Sequence, residues 1–174
     1  MCKDIEKAMS KRCNFLCALG LVTYTEIMGS IIIGKLGKEG YGRSSFNAFL
    51  EYMGNDYKQL GGKYDLYKTV RCGLVHEYFI KGKSMIVMKD GKQKTGVLVN
   101  DKGITCFIVE TYFQHFKVGL EKYLNELRAN GEKMRRFLSI IKSKSEDIAK
   151  VEEINKGISG DFVSKTFSRI MEND

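Results

Sequence analysis

Residues Tyr64–Gly82, YDLYKTVRCGLVHEYFIKG, decide how the rest of this chain is read. As a helix the stretch is apolar nearly all the way round. Tyr67, Leu74 and Tyr78 fall on one stripe, and Cys72, Phe79 and Ile80 on another. A helix without a polar face ordinarily runs through the middle of a fold. Yet Arg71 lies on the first stripe and His76 on the second. A guanidinium in such a helix is costly unless a counter-charge meets it. Packing alone would not choose either residue.

The bulk numbers set the frame. The chain has 174 residues, enough for one domain and a small appendage. There is no proline, which suits long helices joined by glycine-containing turns. The net charge of +8 favours anionic partners, nucleic acid first, although a lysine-rich solvated surface gives the same number. Five cysteines, an odd count, lie mostly in apolar runs and read as reduced, buried thiols of a cytosolic protein. With two histidines and no CxxC pair, no metal site and no cofactor is expected.

Going outward from the opening stretch toward the N-terminus, residues 3–34 carry a helical period, as one helix or as two in line broken near Gly20. Phe15–Ile33 is apolar enough to resemble a signal anchor. Thr23, Thr25, Glu26 and Ser30 interrupt it, so a buried helix and no membrane role are expected. Glu26 is the unusual residue there. It either caps a backbone group or pairs with a buried cation, Arg71 being the candidate. Gly34–Arg43, GKLGKEGYGR, is a glycine-rich loop carrying Lys35, Lys38 and Arg43. It lacks the Walker pattern, since Leu follows GK and a helix precedes. It reads as a plain connector or as a basic loop beside a polyanion. Ser44 is the expected N-cap of a helix through Met53, with Phe46, Phe49, Leu50 and Met53 on its inner face. Asp56–Gly62 reads as a turn.

Toward the C-terminus the period changes. Met85–Met88 and Val97–Val99 are short β-type runs beside the turn signals Asp90-Gly91 and Asp101-Lys102-Gly103. A β-hairpin or small meander at about 84–105 is expected. A helix then opens at Cys106 or Val109 and runs to about Ala129, with Phe113, Phe116, Val118, Leu120, Tyr123, Leu124 and Leu127 inward. His115 in that helix reads as a surface or partly packed residue. Asn130-Gly131 stops the helix. Residues 131–174 read as a helical extension, with Ile148 and Val151 on an amphipathic face and a last helix capped by Asp161. It would pack on the core or on a second subunit.

The spacing in RCGLVH, Arg71-x4-His76, resembles the Arg-x(4–6)-His motif of HEPN domains. The resemblance extends over about residues 1–130 and is strong only at this motif. It implies a mostly α, HEPN-like helical bundle with the β element inserted after the third helix. It also implies a homodimer, and in many members a metal-independent endoribonuclease of a toxin or defence setting, with an antitoxin protein as a candidate partner. Carried over, Arg71 would stabilise phosphate and His76 would handle the ribose 2′-OH. Glu26 and Cys72 would support them, and Lys35, Lys38, Arg43 and Lys68 would hold RNA. Cys72 departs from the family, which often has a polar residue after the arginine. The geometry raises a difficulty. Five positions on a straight α-helix turn two side chains roughly 140° apart. One site then needs a curled Arg71, a kink at Gly73, or two subunits. The rival classes are a non-catalytic dimer binding RNA or a nucleotide, and a purely structural or regulatory dimer.

Overall fold

The computed structural model describes residues 1–77, 84–89 and 93–147. The fold is mostly α with a small inserted sheet. In chain order the first unit holds α1 (Cys2–Ser10), α2 (Asn14–Ile32), α3 (Gly42–Met53) and α4 (Asn55–Lys63). A π-helical turn (Tyr67–Cys72) follows and leads into α5 (Gly73–Glu77). Strands β1 (Ser84–Val87), β2 (Val97–Val99) and β3 (Thr105–Ile108) precede the long α6 (Val109–Ala129). The chain divides into two compact units, Met1–Met134 and Arg135–Asp174. Of the second, residues 135–147 are described, and they are helical. The features expected further on, Ile148, Val151 and the Asp161-capped helix, lie outside the described residues, as do Tyr78, Phe79, Ile80, Gly82 and the Asp90-Gly91 turn.

The helix at the centre is α2, not the stretch around Arg71. Its buried residues run from Cys17 and Ala18 through Leu21, Val22, Thr25 and Met28 to Ile31, which takes in most of its circumference. Helices α1, α3, α5 and α6, the π turn and β1 all pack on it. By length and composition α2 could cross a membrane, but about half of it is buried inside the protein. The closest approach is to α3. A Cβ at Gly29 would collide with the backbone carbonyl of Ser45, so glycine there lets two helix backbones touch. On α3, Phe46, Phe49, Leu50 and Met53 are buried as the period requires. Phe49 meets Phe116 of α6 at 5.1 Å between ring centroids.

The stretch around Arg71 is instead amphipathic. Leu66, Val70 and Leu74 form its buried stripe, while Val75 and His76 are exposed. Its apolar composition misled because tyrosine and cysteine there lie at the boundary, half-buried.

Other boundaries differ for local reasons. The first helix breaks at Arg12, which takes the left-handed φ of 54°, and not at Gly20. Gly20 instead is a close contact, where a Cβ would come within 2.8 Å of Ile5 Cδ1 as α1 folds back on α2. Helix α3 starts two residues before Ser44, whose hydroxyl bonds back to Tyr41 O at 3.0 Å and caps nothing. The expected turn at Asp56–Gly62 is helix α4, anchored by fully buried Tyr57. On α6, Val118 and Leu124 face out, and Tyr112 and Gly119 take inner places with Phe113, Phe116, Tyr123 and Leu127. Of the cysteines only Cys17 is buried, and none of the five is in a disulfide.

The sheet is no meander. Its order is β1-β3-β2, with β1 parallel to β3 and β2 antiparallel to it. Thr105 pairs with both Ser84 and Val99. A parallel pair needs a long crossover, and the chain from β1 to β3 provides one with β2 inside it. Strand β3 takes the middle because Thr105, Phe107 and Ile108 are all buried. It continues directly into α6 at Val109.

Candidate active site

The turn that holds Arg71 is wound as a π-helix, with i→i+5 bonding, and α-winding resumes at Gly73. Such turns are rare and frequent at functional sites. The change of winding falls between Arg71 and His76, so the angle of a uniform α-helix does not apply. The long Arg71 side chain closes the remaining gap. Its Nη1 stands 3.4 Å from His76 Nε2. Arginine has only donors, so the imidazole accepts at Nε2. The two motif residues therefore meet within one chain, at a surface position where His76 is exposed.

The other end of the guanidinium faces inward. Arg71 Nε is ion-paired with Glu26 Oε2 of α2. Both atoms are closed to solvent and meet as opposed charges without hydrogen-bond alignment. The two side chains keep 18% and 20% of their exposure, so the pair is only partly desolvated. This is the counter-charge that a cation on this helix requires. It also explains a carboxylate in the middle of the most apolar helix among the described residues.

Tyr67, which belongs to the same cluster, was read from the sequence only as part of an apolar stripe. The guanidinium carbons of Arg71 and of Arg43 each lie 5.5 Å from its ring centroid. Phe46 packs edge-on against it at 6.0 Å. Burial and then the Glu26 carboxylate push the Tyr67 phenol up, opposed in part by Arg71. The hydroxyl is thus neutral across the physiological range. Gly42, opening α3, makes room for it: a Cβ there would strike the Tyr67 hydroxyl and stand 3.1 Å from Glu26 Oε1. The spacing Tyr67-x3-Arg71 was the available signal, since residues four apart stack on one helix face.

Arg43 is brought to the cluster by α3 and held by an ion pair to Asp65, which precedes the π turn. That bond lowers the Asp65 carboxyl below its usual range and raises the Arg43 guanidinium. Asp65 Oδ1 also accepts from the Lys68 backbone N–H at 3.1 Å, so one carboxylate fixes both the arginine and the start of the turn. No local pattern in the sequence links Asp65 to Arg43.

The remaining expected residues fall at differing removes. Cys72 is half-buried and lies within the π turn beside Arg71. Lys68 is exposed on the same turn. Lys35 stacks over the Tyr41 ring at 4.5 Å, one residue before Gly42, which ties the basic loop to the start of α3. Lys38 is exposed farther along that loop. His115 is not part of the site. Its Nδ1 is 2.9 Å from the Tyr57 hydroxyl on α4.

Comparison of the chain with family models, with curated proteins and with solved structures gives no match.

Proposed function

We propose that this protein is a metal-independent endoribonuclease of HEPN type, acting as a homodimer in the cytoplasm in a toxin or defence setting. The observation that carries the reading is the 3.4 Å contact between Arg71 and an exposed His76. Cleavage of RNA without a metal needs a base for the 2′-OH, positive charge at phosphorus and an acid for the leaving oxygen. His76 takes the 2′-OH proton at Nε2, freed as Arg71 Nη1 turns from it to the phosphate, while the 2′ oxygen attacks phosphorus. Arg71, fixed in place by Glu26, faces the negative charge that builds on the phosphorane. The P–O5′ bond then breaks, and the 5′ oxygen takes a proton from an acid. One chain offers one imidazole at the site, and the twin subunit's copy is the natural source of that acid. The net charge of +8 favours a polyanionic substrate.

The second reading is a non-catalytic dimer that binds RNA or a nucleotide. One observation favours it: Glu26 already offsets Arg71, and His76 Nε2 is already occupied by Arg71 Nη1. The ends of the products separate the two. With EDTA present, single-stranded RNA is expected to be cut to fragments bearing 2′,3′-cyclic phosphate and 5′-hydroxyl ends. Intact RNA that is retarded on a gel would leave the binding dimer in possession.

A further inference from the structure

The cluster holds a second arginine whose position has no catalytic explanation. Arg43 shares the Tyr67 ring with Arg71, each guanidinium carbon 5.5 Å from its centroid, so the two charges are at most twice that distance apart. Unlike Arg71, Arg43 is a surface group, its side chain 55% exposed. Its partner Asp65 is 37% exposed, so water reaches this ion pair. An ion pair of that kind contributes little to stability. It does restrain a flexible side chain. Two forked cations on one aromatic ring, one partly buried against Glu26 and one ion-paired to Asp65 at the surface, match two phosphates of one strand better than a single phosphate.

We propose that Arg43 is a second phosphate-holding residue, released from Asp65 when a strand binds. The site therefore selects chains with at least two phosphodiesters over mononucleotides. This rests on the reading of Arg71 and His76 as a strand-cleaving site, and it names what that site requires of its substrate. Asp65 acts here as a competitor: its carboxylate occupies the guanidinium fork until phosphate displaces it. Lys68, exposed on the same turn with its backbone held by Asp65, adds charge beside the exchange.

Binding can be measured apart from cleavage with 2′-deoxy oligonucleotides, which lack the attacking hydroxyl. The full chain, its Arg43→Gln variant and its Asp65→Asn variant are titrated with a dinucleotide carrying one phosphodiester and with an octanucleotide, at several salt concentrations. For Arg43→Gln the octanucleotide affinity is expected to fall about tenfold, and the slope of log K on log salt to shrink by about 0.7, one single-strand phosphate contact. Dinucleotide affinity should hold within about twofold. Asp65→Asn should tighten octanucleotide binding several-fold. Equal losses for both ligands, an unchanged salt slope, or no tightening with Asp65→Asn would overturn the assignment, as would wild type that binds neither. The cleavage reading fails separately. A wild type that never cuts RNA, yet loses octanucleotide binding through Arg43→Gln, keeps the subsite and loses the nuclease.

Discussion

The chain has two histidines, and the structure puts them to opposite uses. His115 is enclosed. Tyr57 accepts the Gly96 N–H at 2.7 Å, and its hydroxyl is hydrogen-bonded to His115 Nδ1 at 2.9 Å. That chain joins α4, α6 and the entry to β2. Burial lowers the His115 pKa, opposed by Asp56, and pushes the Tyr57 phenol up. His76 is open, on a turn wound out of register, with an arginine as its neighbour. One imidazole is tied to a buried phenol at the edge of the core. The other is placed where a ligand can reach it. Histidine as a residue type says nothing about function. Its partner and its exposure do.

Substitutions can break this contrast from either side. Among substitutions outside the two histidines, the largest effect belongs to Arg71→Gln. Loss of the charge at phosphorus should cost roughly 10²–10³-fold in single-turnover cleavage, the scale of one oxyanion-stabilising donor. Next is Glu26→Gln, which leaves Arg71 without its counter-charge. Full burial would make that worth several kcal/mol. With about a fifth of each side chain exposed, a loss of about 1–3 kcal/mol is expected in denaturant unfolding, together with weaker cleavage. Tyr57→Phe should lower stability by about 1–3 kcal/mol, because the buried Gly96 N–H and His115 lose a common partner, and it should leave cleavage unchanged.

The smallest effect is in pH dependence. His115 has a folded pKa below its ordinary 6.5, so below that pH the unfolded chain binds the proton more readily. Its contribution is complete above about pH 6.5 and is lost as pH falls through the lower folded value. The midpoint of urea unfolding should therefore drop between pH 7.5 and 5.5, and His115→Asn should flatten that drop. An unaltered pH profile in the variant would remove His115 from the buried network.

How much of this was legible in the sequence depended on whether the cause was local. The inner face of α3 and the limits of α6 follow from apolar spacing and from Asn130-Gly131, and both were readable. So was the pairing of Glu26 with Arg71 as a candidate, because a buried cation demands an acid. The π turn was not: Leu66, Val70 and Leu74 are buried at the spacing an ordinary α-helix would also give, and no residue pattern announces the change of winding. Helix α4 was hidden by Gly61 and Gly62, whose low helical preference is outweighed by the anchoring of Tyr57. The central place of β3 was hidden because its residues adjoin a helical period. The link between Arg43 and Asp65 is a tertiary event between α3 and the π turn, beyond the reach of spacing.

The most direct measurement compares the two histidines in one assay. Single-turnover cleavage of end-labelled single-stranded RNA is followed in EDTA for wild type, His76→Ala and His115→Ala, each checked for folding by circular dichroism. The expected result is a loss of roughly 10²–10⁴-fold for His76→Ala alone, with His115→Ala less stable but active at a temperature where it is folded. Cleavage that survives His76→Ala, or that wild type never shows, would contradict the assignment of the site.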